Sequence, residues 1–161
     1  MKKIAIAFAS VLAIGGGSMA SAQSISPTGS FTFTGSLEME QSVKAFCNVS
    51  GTGTNTSTSG TLSGSFSPGN PLYCGILSLV KPYGAWSFRV KPGSTTRVYI
   101  TVGANTVLNK PCYGEVEAGW NSATSTVTFD ANTPIPAVNA GDPNCKINYG
   151  SVILSPARTI S

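Results

Sequence analysis

Glu115 and Glu117 form the acidic pair whose spacing invites chemistry. Two residues apart on a strand, their side chains share one face at about 7 Å, a separation that paired carboxylates can use in glycoside hydrolysis. That mechanism needs the carboxyls to flank a bond in a cleft. These two lie along an outward face opposite Val116, Ala118 and Trp120, so a solvated strand face is the expected reading. The chain has no histidine, which removes Ser-His-Asp and Cys-His activation of a nucleophile and imidazole ligation of a metal. Cys47, Cys74, Cys112 and Cys145 lie 27, 38 and 33 residues apart with no C-x-x-C, a pattern that fits neither a thioredoxin-like redox pair nor a zinc ribbon. Asp130, Asn132, Asp142 and Asn144 carry oxygens suited to calcium but lack EF-hand or nonapeptide spacing, and read as turn residues. The chain is therefore expected to be no enzyme, with no catalytic residue, no metal and no cofactor.

The residues suited to binding are of two kinds. Lys81, Arg89, Lys91 and Arg97 gather basic charge within 17 residues, as a site for an anionic polymer or lipid would. Arg89 and Lys91 point outward from a strand, so pairing across strands with Glu115 or Glu117 and protection of a sheet edge account for them more simply. Trp86, Trp120 and Tyr99 are the candidate ligand or surface contacts. Both tryptophans fall in register with aliphatic residues, as core tryptophans do, whereas Tyr99 alternates out of phase with the apolar face of its strand.

The elements that position these residues follow a leader. Lys2 and Lys3, the apolar run Ile4 to Ile14 and Ala20-Ser21-Ala22 have the order of an export signal with a small-residue cleavage site, and the apolar run is short for a membrane span. Residues 1–22 are read as signal peptide and 23–161 as one β domain. Lys2 and Lys3 leave with the signal, so eight basic residues face six acidic ones, a net charge of +2 too small for a nucleic-acid protein. A secreted protein, extracellular or periplasmic, with no transmembrane segment is expected.

Within the domain, apolar and polar residues alternate at period two through Phe31 and Phe33, Val43 to Val49, Trp86 to Val90, Val98 to Val102, Val116 to Trp120, Val127 to Phe129, and Ile147 with Tyr149. Each run reads as a half-buried strand. Turn residues at Ser67–Pro71, Lys91–Gly93, Asn109–Pro111, Asn121–Ser122 and Gly141–Asn144 separate them. The expected fold is all-β, an antiparallel sandwich or barrel of about nine strands. Ser50 to Gly60 contains only Ser, Gly, Thr and Asn and is expected to be a long mobile hairpin loop.

Four cysteines in an oxidising compartment suggest two disulfides, with three possible pairings. The two halves echo each other: Cys47 and Cys112 are each followed fifteen residues later by Leu62 or Val127 in a Ser/Thr-rich strand, then by a proline-containing loop and a second cysteine. The echo favours Cys47 with Cys74 and Cys112 with Cys145 and leaves the other pairings open.

The lysine-led signal, Ile25-Ser26-Pro27-Thr28-Gly29-Ser30-Phe31, Cys47-Asn48-Val49-Ser50-Gly51, Cys112-Tyr113-Gly114, Trp120-Asn121, Thr126-Val127-Thr128-Phe129 and Cys145-Lys146-Ile147-Asn148 together resemble the PraB-like family of small secreted proteins, protein activators of alkane oxidation. The resemblance implies a secreted, non-enzymatic accessory protein that promotes bacterial growth on long-chain alkanes and carries no catalytic residue. Its expected partner is a hydrophobic substrate or a cell surface, with action at the cell-oil interface. The competing expectation is a pilin-like or biofilm-matrix subunit that self-associates, with Ser30 to Leu37 as a strand donated to a neighbour.

Overall fold

The computed structural model describes residues 23–69, 74, 80–106 and 108–161; residues 1–22, expected to be a signal peptide, lie outside them. The strands are β1 (Ile25–Ser26), β2 (Gly29–Gln41), β3 (Val43–Asn55), β4 (Ser59–Pro68), β5 (Lys81–Pro82), β6 (Trp86–Val90), β7 (Arg97–Asn105), β8 (Pro111–Asn121), β9 (Thr126–Phe129), β10 (Thr133–Ile135), β11 (Cys145–Ser155) and β12 (Thr159–Ile160). Eight of them close an antiparallel barrel in the order β2-β3-β4-β6-β7-β8-β9-β11, with β11 returning to β2. β10 extends the line of β9 along β11, β5 adds to β7, and β1 pairs with β12 as a separate two-stranded ribbon. All pairings are antiparallel, mostly between chain neighbours, as short turns permit.

Closure settles the expected choice of sandwich or barrel in favour of a barrel, and it leaves the eight strands no open edge. β2 is paired to β3 on one side and to β11 on the other, so Ser30 to Leu37 is a wall strand of its own domain, not a free strand for a neighbour. The alternation predicted from sequence sets which residues face inward: Phe31, Phe33, Leu37 and Met39 of β2, Trp86, Phe88 and Val90 of β6, Val98 and Ile100 of β7, and Val116, Ala118 and Trp120 of β8 are buried. The outer face carries mostly Ser, Thr and charged side chains, with a few apolar ones such as Tyr149 and Ile153, whereas a transmembrane barrel has an apolar outward band. Among the described residues no helix is long and apolar enough to cross a membrane.

Ser50 to Gly60 is not a loop. Ser50–Asn55 completes β3 and Ser59–Gly60 opens β4, paired in register across a turn at residues 56–58, where Thr56 Oγ1 accepts from the Ser59 amide at 3.3 Å and donates to the Ser59 carbonyl at 3.0 Å. Glycine occupies the inward positions, so the hydrophobic alternation that marks other strands is missing there. The apolar filling comes from neighbouring strands instead. A Cβ at Gly51 would lie 2.6 Å from the Phe33 ring, at Gly53 2.4 Å from Phe31, at Gly60 2.3 Å from Phe88 and at Gly64 2.7 Å from Trp86. Each aromatic ring rests on bare backbone, which only a residue without a side chain allows.

Both disulfides pair as the internal echo favoured, Cys47 with Cys74 and Cys112 with Cys145. The echo is incomplete in three dimensions: Cys145 opens β11, whereas Cys74 lies in the connection between β4 and β5. Both bonds sit towards the end of the barrel where β2 meets β3, with the β7–β8 turn and the β10–β11 connection. The opposite end holds the β3–β4, β6–β7 and β8–β9 turns and the chain terminus.

Candidate functional site

Two regions carry the features from which a function can be argued: the interior and the disulfide end. The interior is a cavity of about 70 Å³ lined by apolar side chains from every barrel strand, among them Phe33, Leu62, Phe66, Trp86, Trp120 and Leu154. Leaving such a space empty costs about 1.7 kcal/mol at roughly 24 cal/mol per Å³. An eight-stranded barrel is just wide enough to be filled by its own side chains or to hold one small ligand. A long-chain alkane does not fit here.

Buried polar residues stand at both ends of the barrel. Arg158 is 2% exposed and packs over the Phe31 ring, 5.5 Å from its centroid. Its guanidinium donates to Asn55 Oδ1 at 3.1 Å, to the Ser30 carbonyl at 2.7 Å and to the carbonyls of Pro156 and Ala157. Neutral oxygens at the ends of β2 and β3 thus hold a buried charge, which hydrogen bonding makes tolerable. At the disulfide end Gln41 donates to the Pro143 carbonyl at 2.7 Å and to Cys112 Sγ at 3.3 Å, and accepts from the Thr106 hydroxyl. Neither end residue carried a sequence signal, because both depend on where distant loops fold over the barrel.

The tryptophans and Tyr99 separate in the structure. Trp86 and Trp120 are buried and face the cavity; the Trp86 indole N–H donates to the Gly103 carbonyl at 3.0 Å and that of Trp120 to Ser122 Oγ at 2.9 Å. Only Tyr99 faces outward, beneath the Arg89 guanidinium at 4.1 Å and the Lys91 ammonium at 5.7 Å. It sits in register between Arg89 on β6 and Glu117 on β8. Arg89 binds Glu115 through two hydrogen bonds of 2.9 and 2.7 Å, Lys91 reaches Glu117 at 2.8 Å, and Arg97 bridges Glu117 and Asp130. These contacts raise the pKa of Arg89, Lys91 and Arg97, the hydrogen bond to the facing carboxylate being the largest cause. Arg89, Lys91 and Arg97 of the basic run are thus neutralised strand by strand. Glu115, Glu117 and Asp130 serve as the counter-charges, and Glu115 lines an outer-face pocket with Arg89 and Tyr99.

Three of the four residues considered for calcium are engaged in separate local contacts. Asp130 accepts from Arg97, Asp142 pairs with Lys110 at 2.8 Å, and Asn144 Oδ1 accepts from the Ala137 amide. A second acidic group, unmarked in the sequence, forms at the β-bulge of β11: Asn148 Nδ2 donates to Glu38 at 2.7 Å and Glu40 at 2.9 Å. The amide lowers the pKa of both carboxyls, with Lys44 and Lys146 adding to the effect.

The disulfide end gathers apolar surface. Tyr83, Leu108 and Val138 are 38%, 43% and 44% exposed, and they stand in the connections on the β7–β8 side of this end. The Tyr83 amide donates to the Gly103 carbonyl at 3.0 Å, and its ring meets Tyr113 edge-on at 6.3 Å. The Tyr113 ring lies against Gly84 and Gly103, where a Cβ would come within 2.4 and 2.6 Å. The Val138 amide donates to the Pro111 carbonyl at 2.9 Å, three residues beyond Leu108. Apolar side chains held outward on a stapled frame are the kind of surface that marks an interaction site. Among the described residues the other two large exposed apolar side chains, Tyr149 and Ile153, stand on the outer face of β11.

The model of the alkane oxidation protein activator PraA/PraB-like family matches residues 1–161. The chain belongs to this family. No curated protein and no solved structure matches it. The family description names an activator of alkane oxidation, which agrees with the resemblance read from the cysteine-bearing segments. The two disulfides suit an oxidising compartment outside the cytoplasm.

Proposed function

We propose that this chain is a secreted, non-enzymatic accessory protein that promotes growth on long-chain alkanes by meeting apolar material, at the boundary between cell and oil, with the disulfide end of its barrel. The observation that carries this reading is the grouping of Tyr83, Leu108 and Val138, three of the five large exposed apolar side chains among the described residues, at one end of the barrel. Membership of an alkane oxidation activator family supplies the chemistry of the partner. An interior of about 70 Å³ directs contact with a long alkane to the outside. Tyrosine suits such a boundary, since its ring enters the apolar side while its hydroxyl stays wet. The cross-bridged Glu115 and Glu117, and a chain without histidine, support a role without catalysis.

Drop tensiometry at a hexadecane-water interface tests the reading, alongside the growth lag on hexadecane of a strain lacking the gene and supplied with purified protein. Wild type is expected to adsorb and to shorten the lag. Leu108→Ser/Val138→Ser is expected to lose most of both effects, and Ile153→Ser to keep them. Equal adsorption and equal rescue by wild type and the double variant would refute the assignment of this end.

A further inference from the structure

We infer that the barrel interior is itself a binding site for a small saturated hydrocarbon of about three carbons, with propane as its reference ligand. The lining is apolar throughout, and a space with no hydrogen-bonding group stays dry and accepts apolar guests such as benzene or xenon. A cavity of about 150 Å³ takes the six carbons of benzene, so 70 Å³ corresponds to about three.

The space persists for a structural reason. The closed circuit of eight strands fixes the barrel radius. The inward glycines Gly51, Gly53, Gly60 and Gly64 let the rings of Phe33, Phe31, Phe88 and Trp86 retreat against the wall by the depth of a missing side chain, which leaves room at the axis.

The same lining discriminates. A propanol hydroxyl inside this cavity would find no partner and would lose its bonds to water. The site is therefore selective for an alkane over the alcohol made by oxidising it. This inference rests on the interior alone and is independent of the surface reading proposed above.

The purified, oxidised protein is to be equilibrated with propane at graded pressure, and separately with xenon and 1-propanol, while methyl NMR shifts and tryptophan fluorescence are recorded. Trp86, Trp120, Val127 and Leu154 line the space and act as reporters. Propane and xenon are expected to give saturable shifts confined to lining residues, and 1-propanol to bind at least about tenfold more weakly. Ala104→Leu adds three carbons from the wall and is expected to abolish propane binding. Leu154→Ala frees the space of three carbons and is expected to move the preference towards a six-carbon guest. Absence of saturable shifts with both propane and xenon in the wild-type protein would overturn the inference, as would propanol binding equal to propane. Should Ala104→Leu fail to fold, an unchanged guest preference in Leu154→Ala would overturn it equally.

Discussion

If the rings of the β2 and β6 side chains fill the barrel by lying on glycine backbone, a single methyl at those glycines must destabilise the domain, and by an amount that depends on what the methyl meets. At Gly51 the added Cβ would lie 2.1 Å from the Ser63 carbonyl oxygen as well as 2.6 Å from the Phe33 ring. Backbone of the adjacent strand must move, so Gly51→Ala is expected at the upper end of overpacking costs, about 3 kcal/mol. At Gly53 the nearest atom is the tip of the Phe31 ring at 2.4 Å, with the Thr61 carbonyl oxygen at 2.8 Å, and a cost of about 2 kcal/mol follows. Gly119 is the control, because its nearest neighbour would be 3.5 Å away; Gly119→Ala should change stability by no more than about 0.5 kcal/mol. Urea unfolding of the oxidised protein measures these differences through the transition midpoint at constant m. For a domain of this size each kcal/mol lowers Tm by about 3 °C. The decisive comparison is a double-mutant cycle. Phe31→Leu should recover about 1 to 2 kcal/mol of the Gly53→Ala loss, whereas Phe33→Leu should recover little of the Gly51→Ala loss, since the Ser63 carbonyl does not move with the ring. Equal effects of alanine at positions 51, 53 and 119, or additivity in the Phe31 cycle, would refute the packing account of the inner wall.

Three further outcomes follow from the same structure. Arg158→Met should cost about 2 to 4 kcal/mol, because buried acceptors at Asn55 and Ser30 lose a charged donor. By contrast, Arg97→Met should cost far less despite two ion pairs, being more than a third exposed; thermal unfolding of the two variants side by side reverses this order if the end cap is unimportant. Replacing Cys112 and Cys145 with serine opens a loop with a sequence separation of 33 residues and should lower stability by about 3.7 kcal/mol on the chain-entropy model, measured by urea unfolding and refuted by a loss under about 1 kcal/mol. Asn148→Ala removes the largest cause of the lowered pKa of Glu38 and Glu40. Lowered carboxyl pKa values contribute stability that is complete above the unfolded-state pKa and is lost as pH falls through the folded one. Wild type should therefore lose this contribution in acid, below about pH 4, and the variant should show a shallower loss there; carboxyl NMR titration that left both pKa values unmoved would sink the assignment.

Much of the fold was legible because a strand with one buried face writes its direction into the sequence. Phe31 and Phe33, Trp86 to Val90, Val98 to Val102 and Val116 to Trp120 announced both their strands and their inner faces. Ser50 to Gly60 was illegible for a definite reason: its inward residues are glycines whose apolar partners, Phe31, Phe33 and Phe88, come from other strands. Alternation placed Arg89, Lys91, Glu115 and Glu117 on one outer face, whereas the strand register decided which pairs with which and added Asp130 as a partner of Arg97. The Glu38–Glu40–Asn148 group required the bulge that turns Asn148 towards β2.

By itself, then, the sequence determined the β class, the orientation of most strands, the absence of histidine chemistry and the cysteine segments that place the chain among the PraA/PraB-like proteins. Tertiary structure alone decided that the strands close into a barrel, that a buried arginine and a glutamine cap its ends, and that Tyr83, Leu108 and Val138 share one of those ends. The reason is range. Periodicity is a local property of neighbouring residues, whereas closure, end caps and surface grouping join residues separated by tens of positions through β11 and the connections, and no local pattern encodes such pairings.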